Sequence, residues 1–174
     1  MTREAGFTLT ELMVTLTIVA ILMGIGVPSY KYVTNSDRVS SEINGLLGDL
    51  QFARAEAIRE GQQVTVCPAA DTNYNSCAMT AATWNTGWIV TTNLNGTDNV
   101  LRVQQGFKSK DTMTSDATAA AVVFNREGFA PTLGGPTVFT LKDSTASPKY
   151  TRCLTLQVTG LMATATNTSD PTCL

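Results

Sequence analysis

Residues Gly6–Pro28 read GFTLTELMVTLTIVAILMGIGVP. From Leu12 to Tyr30 no side chain is charged, and Thr15 and Thr17 are the only hydroxyl groups within Leu12–Val27. Both can bond back to the carbonyls of their own helix. An apolar run of about 16–19 residues approaches the roughly 20 that carry a helix across a bilayer. No second run approaches this length, so the sequence predicts a single membrane pass at most. A secretory signal has its small-residue cleavage site after the apolar segment. Here the small residue comes first: Gly6 ends the short polar leader MTREAG and Phe7 follows at once. Cutting after Gly6 keeps the hydrophobic helix in the mature chain.

Working outward, the whole chain has 174 residues, 12 Lys plus Arg against 14 Asp plus Glu, a net charge of −2, and no histidine. That length suits one domain with an appendage. Without histidine there is no Ser-His-Asp or Cys-His catalysis, no His-ligated zinc and no histidine-ligated haem. No nucleophile–base pair or cofactor motif stands out, so no enzyme, cofactor or metal is expected. Charged residues make up 15% beside 43% apolar ones, which points to a chain partly buried in something other than its own core. The near-neutral balance gives no global pull toward nucleic acid.

Pro28 removes one helix hydrogen bond and is expected to kink or loosen the helix, with Gly24 and Gly26 weakening the same turn. The helix could end there. The periodicity resumes, however: Val39, Ile43, Leu46, Leu47, Leu50, Ala53, Ala57 and Ile58 fall on one stripe. Arg38, Glu42, Asp49, Glu56 and Glu60 leave the opposite side polar, and Gly61 supplies a stop. The expected helix runs from Phe7 to Glu60, about 80 Å at about 1.5 Å per residue. Downstream, Gln62–Pro68, Gly87–Asn93, Val100–Gln105, Ala121–Glu127, Pro136–Lys142 and Arg152–Val158 carry strand-like alternation. Turn clusters such as Asn95-Gly96 and Gly134-Gly135-Pro136 separate them. The low-complexity stretch Thr112–Ala121 is expected to be a loop. One helix followed by many strands argues for an α+β head with sheet against the helix stripe.

The arrangement of Gly6, Phe7, Glu11 and Pro28 around the apolar run closely resembles the type IV prepilin signal. The resemblance implies that a membrane prepilin peptidase cleaves between Gly6 and Phe7 and N-methylates Phe7. A carboxylate at the membrane edge is costly unless paired. Glu11 lies about one turn from the new terminus, so the N-terminal amine of a neighbouring subunit is its expected partner and would set filament register. The plain alternative is a carboxylate snorkelling to the lipid headgroups. The head segments Leu50–Pro68, Thr83–Val90 and Phe124–Ala130 are similar to those of the GspH/FimT class of minor pilins and pseudopilins.

The implied fold is the α+β type IV pilin fold: a long N-terminal α-helix, membrane-spanning in its first half, packed on a C-terminal antiparallel β-sheet head. The implied domains are a cleaved leader (1–6), a transmembrane or filament-core helix (7–30), its amphipathic continuation (31–61) and a periplasmic head (62–174). The implied function is that of a non-catalytic minor pilin that primes, or sits at the tip of, a type IV pilus. An H-type pseudopilin of type II secretion is the first alternative, and a DNA-binding pilin of DNA uptake the second. Partners would be the prepilin peptidase, other minor and major pilins or pseudopilins, and the inner membrane. Some FimT-type pilins bind DNA through a Gly-Arg-x-Arg element. The matching place here reads Gly160-Leu161-Met162-Ala163, and Lys142, Lys149 and Arg152 are few, so no DNA partner is expected.

Four cysteines, Cys67, Cys77, Cys153 and Cys173, all follow the apolar segment, which argues for two disulfides in an oxidising compartment. Sequence allows three connectivities. The one adopted joins Cys67 to Cys77 across a polar loop and Cys153 to Cys173, pinning the tail. CxxC-like spacing is absent, which argues against redox or zinc chemistry. Asp71, Asn73 and Asn75 open like a calcium loop, but Ser76 and Ala82 replace its Gly and Glu. Asn93, Asn95, Asp98 and Asn99 read as a hairpin turn or a weak cation cluster. Trp84 and Trp88 read as core.

Overall fold

The structure is a computed structural model describing residues 6–78, 83–94, 97–116, 120–167 and 173, without the side chains at 28, 93–94 and 97–98. The chain divides into one compact unit ending at Asp37 and a second beginning at Arg38. A single α-helix, α1, covers Leu9–Glu60 and continues through position 28. In the first unit its large apolar side chains face outward: Leu16 is 60% exposed, Leu22 64% and Ile25 69%.

In the second unit the helix supplies one wall of a core. Val39, Ile43, Leu46, Leu50, Ala53 and Ala57 are buried, at steps of three and four residues. Fully burying each Leu or Ile contributes roughly 1.5–3 kcal/mol. Leu47 is half-buried, but Ile58 is 52% exposed, so the expected stripe ends one residue early. Gly61 then takes φ +66°, the left-handed turn that closes a helix.

Two four-stranded antiparallel sheets complete the head. The first comprises β1 (Val64–Pro68), β2 (Gly87–Leu94), β3 (Thr97–Gln105) and β5 (Val122–Phe124), in the order β3-β2-β1-β5. The second comprises β4 (Thr112–Ser115), β6 (Thr137–Lys142), β7 (Arg152–Leu156) and β8 (Met162–Thr166), in the order β4-β6-β7-β8. Alternation sets the inward face: Thr137, Phe139 and Leu141 of β6 are buried while Val138, Thr140 and Lys142 are half-exposed. Val66 of β1 pairs with Val90 of β2, and Phe139 of β6 with Leu154 of β7. A backbone bond from Trp84 N–H to the Met113 carbonyl (2.7 Å) ties the chain entering β2 to the second sheet.

One expectation of the sequence reading needs correction, and one strand was missed. Thr112–Ser115 is a strand, because Met113 alternates with polar neighbours and is fully buried opposite Leu141. Met162–Thr166 is a strand that periodicity does not reveal: none of its residues is buried, and it is held by pairing with β7 and by the partly buried Met162 packing on the core. The remaining strands match in place and differ by a few residues at their ends. The Asn95-Gly96 turn lies outside the described residues, as do the Asn93 and Asp98 side chains and part of the expected 112–121 loop.

Cys67 is bonded to Cys77 and Cys153 to Cys173. The first bond closes the hairpin in which Ala69 bridges Cys77; the second holds the tail against β7, where the Asn167 amide also donates to the Cys173 carbonyl. Closing a loop of this second size restricts the unfolded chain by about 3 kcal/mol on the chain-entropy account.

Candidate functional site

The N-terminal motif is laid out on the first turns of α1. Gly6 and Phe7 precede the helix, and the Phe7 side chain is 78% exposed. Thr8 is the cap: its hydroxyl accepts the Glu11 backbone N–H at 3.3 Å, and its carbonyl accepts the Leu12 N–H at 3.2 Å. Thr-x-x-Glu is the spacing of a capping box, a reason for Glu11 that the sequence reading missed although Thr8-Leu9-Thr10-Glu11 displays it. The Glu11 side chain is exposed. Thr15 donates to the Leu12 carbonyl (2.9 Å) and Thr17 to the Met13 carbonyl (2.8 Å), which satisfies both hydroxyls inside an apolar stretch. An 18-residue window of α1 reaches a mean hydropathy of 2.1 and none of it is buried within the chain. This helix is long and apolar enough to cross a membrane.

In the head, the polar side of α1 carries a hydrogen-bonded network with strand residues and with Asp111. Arg38 Nε and Nη2 donate to both carboxylate oxygens of buried Asp111, at 2.8 and 3.0 Å. That bond raises the Arg38 pKa, with burial opposing it. Ser109 Oγ donates to Glu42 Oε1 at 3.2 Å. Burial, and next the Asp111 charge, push the Glu42 carboxyl up to about 7. Asp49 accepts both Trp88 Nε1 and Arg102 Nη1 at 2.9 Å, and the Arg102 guanidinium lies 4.2 Å from the Phe52 ring centre. These partners lie more than 35 residues apart in sequence, so no local spacing could pair them.

Beside the network is a cleft of about 500 Å³ lined by Arg38, Ser41, Glu42, Gln105, Phe107 and Lys108, among others. Trp84 and Trp88 are both 1% exposed, with ring centres 6.4 Å apart, and are core residues. The Asp71 carboxylate is occupied locally, accepting from the Asn73 backbone (2.9 Å) and amide (3.3 Å). Among the described residues no cluster of three metal-ligating side chains occurs. Arg152 donates to the Lys149 carbonyl at 3.2 Å, which brings two of the three basic residues together. At the Gly160 position Arg54 takes the place of any local arginine: its Nη1 donates to the Gly160 carbonyl at 2.9 Å.

The family model described as type II transport protein GspH matches residues 42–160, more than half of the chain. The chain belongs to the GspH family. The prokaryotic N-terminal methylation motif matches residues 1–27, the segment holding Gly6, Phe7 and Glu11. Together they make the GspH-family chain a subunit of the minor pilin and pseudopilin class, built for membrane anchoring and assembly. Among solved structures it is similar to the type IV minor pilin FimU of Pseudomonas aeruginosa, at TM-score 0.56 and 18% identity. That alignment covers 76% of this chain and 94% of the other. It is also similar to the minor pseudopilin EpsH from the type 2 secretion system of Vibrio cholerae, at TM-score 0.55 and 12% identity, covering 74% and 97%. Identities this low carry the fold alone. No protein of curated function is significantly similar in sequence to this GspH-family chain.

Proposed function

We propose that this chain is a minor pilin that primes, or sits at the tip of, a type IV pilus, with no catalysis of its own. One observation carries the reading: the apolar part of α1 from Leu9 to Val27 has no cover within its own chain, with Leu9 74% and Val27 52% exposed. Such a surface requires a bilayer or the helices of other subunits. A prepilin peptidase cleaves at Gly6–Phe7 and methylates Phe7, leaving the subunit in the inner membrane with its head in the periplasm. Glu11 then pairs with the amine of an adjacent subunit during entry into the filament, and Pro28 relieves the helix on extraction. The disulfide-stapled head faces adjacent minor subunits.

A second reading has a specific observation in its favour, because the matched family is described as a type II transport protein. In that reading the chain is the H-type pseudopilin of a type II secretion pseudopilus.

Surface pili sheared from a strain lacking the gene separate the two. Pili are expected to be lost or greatly reduced, restored by the intact gene, and not restored by Glu11→Ala or Gly6→Val. Undiminished pili in the deletion strain would overturn the pilus reading, and exoprotein secretion by that strain then decides for the pseudopilus.

A further inference from the structure

We propose that Ile58, Phe129 and Leu161 form an apolar docking patch on the head that receives the uncharged helix of a second pilin-class subunit. The inference rests on the reading of this chain as a filament subunit and names one contact of that filament. Among the described residues of the head, the exposed large apolar side chains are Ile58 (52%), Val103 (48%), Phe129 (45%) and Leu161 (65%). Three of these four converge.

They converge because two turns of the same design touch. Asn125-Arg126-Glu127-Gly128-Phe129 follows β5, and Gln157-Val158-Thr159-Gly160-Leu161 joins β7 to β8. In the first, Asn125 N–H donates to the Phe129 carbonyl and Gly128 N–H to the Asn125 carbonyl, both at 2.9 Å. In the second, Gln157 N–H donates to the Leu161 carbonyl at 2.9 Å and Gly160 N–H to the Gln157 carbonyl at 2.8 Å. Gly128 at φ +80° and Gly160 at φ +77° take the left-handed conformation that closes each turn. A large apolar residue follows each glycine and is left exposed. Ala130 N–H bonds the Val158 carbonyl at 2.8 Å, and a Cβ on Gly160 would lie 2.3 Å from the Gly128 carbonyl oxygen. Ile58 of α1 borders the same place: a Cβ on Gly128 would lie 2.8 Å from its Cδ1.

Single exposed apolar residues are ordinary on a protein surface, whereas a gathered set marks a contact. The ionic groups beside this set are engaged: Arg126 pairs with Glu127, and Arg54 is held by the Gly160 and Thr159 carbonyls. Such a surface favours an uncharged occupant, because a charge buried against it would lose its water without gaining a partner. Three side chains fall far short of the roughly 1,200–2,000 Å² of a stable complex, so a larger contact elsewhere holds the occupant in place. The helix of a pilin-class subunit meets both conditions. In this chain it carries no charge from Leu12 to Tyr30, and its apolar side chains are uncovered. Helix against patch is a contact between unlike surfaces, the kind that repeats along a filament.

Photocrosslinking in cells tests this. Leu161→p-benzoylphenylalanine is introduced into the full-length chain, and crosslinked peptides are identified by mass spectrometry after irradiation and denaturing purification. The expected product joins position 161 to the N-terminal apolar helix of a protein carrying the prepilin signal. Adding Phe129→Asp should lower its yield about fivefold, the scale of one half-buried aromatic lost from an apolar contact, while Val103→Asp leaves the yield unchanged. The crosslink in the otherwise native chain is informative without either variant. Crosslinks only to lipid, to the strands of another head, or to a protein without the signal overturn the patch, as does a yield indifferent to Phe129→Asp. A chain whose deletion abolishes pili yet gives no such crosslink loses this inference and keeps the pilin reading.

Discussion

Gly160→Ala is expected to destabilise the head by about 3 kcal/mol or more, seen as a lower denaturant midpoint with an unchanged slope for the full chain in detergent. Gly160 has φ +77°, a conformation that costs an L-residue roughly 1–2 kcal/mol. A Cβ there would lie 2.3 Å from the Gly128 carbonyl oxygen and 2.8 Å from Arg54 Nε. The first is backbone and cannot swing aside. Gly128 is itself at φ +80°, and its N–H bonds the Asn125 carbonyl at 2.9 Å, so the β5–β6 turn must shift as a whole. Such forced movement in a packed site costs a further 1–3 kcal/mol typically. Arg54 would lose its bonds to the Gly160 and Thr159 carbonyls, and its Nε is already buried without a partner. Gly48→Ala is the contrasting substitution: nothing lies within 4 Å of that Cβ, and a helix-interior alanine should add about 0.5–1 kcal/mol. Equal effects at the two positions would refute this account of Gly160.

Trp88→Ala should cost about 4 kcal/mol by the same measurement. Trp88 is 1% exposed, packs 6.4 Å from Trp84 and meets Phe107 edge-on at 6.0 Å. Trp84 in turn stands edge-on to Phe139 at 5.1 Å, so the pair joins the first sheet to the second. Removing this indole leaves a cavity that surrounding strands, locked by their ladders, fill only in part. The indole N–H also holds Asp49 at 2.9 Å, and its loss leaves that oxygen of the helix without its donor. Trp88→Phe separates the two contributions, keeping most of the volume and removing the hydrogen bond. It should cost about 1–2 kcal/mol. A Phe variant as unstable as the Ala variant would assign the whole effect to Asp49.

The helix and most strands were legible because they are local patterns. The step of three and four from Val39 to Ala57 marks a helix face wherever it lies, and β6 alternates over all six residues. β4 and β8 were not legible because each carries too little of a pattern. One buried methionine identifies β4 only once Leu141 stands opposite, and β8 has no buried residue at all. The N-terminal motif could be read at Gly6, Phe7 and Glu11 because its residues lie within one or two helical turns. Arg38, Glu42 and Asp49 could be read only as the polar side of the helix, and Asp111 not at all, for the opposite reason. A charged residue on the polar side of an amphipathic helix looks the same whether water or a distant strand lies beyond it.

The sequence by itself determined that an uncharged run within a long helix precedes a strand-rich head, that Gly6 and Phe7 stand in front of that run, and that four cysteines follow it. Each rests on short-range chemistry: charge exclusion over about one membrane width, side-chain periodicity, and residue identity at fixed spacings. Tertiary structure alone decided which cysteines meet, which polar residues of α1 are buried, and that Gly128 and Gly160 touch. Those facts depend on bringing residues tens of positions apart to within a few ångströms, where closeness is set by sheet order and register. Chain spacing carries no record of that.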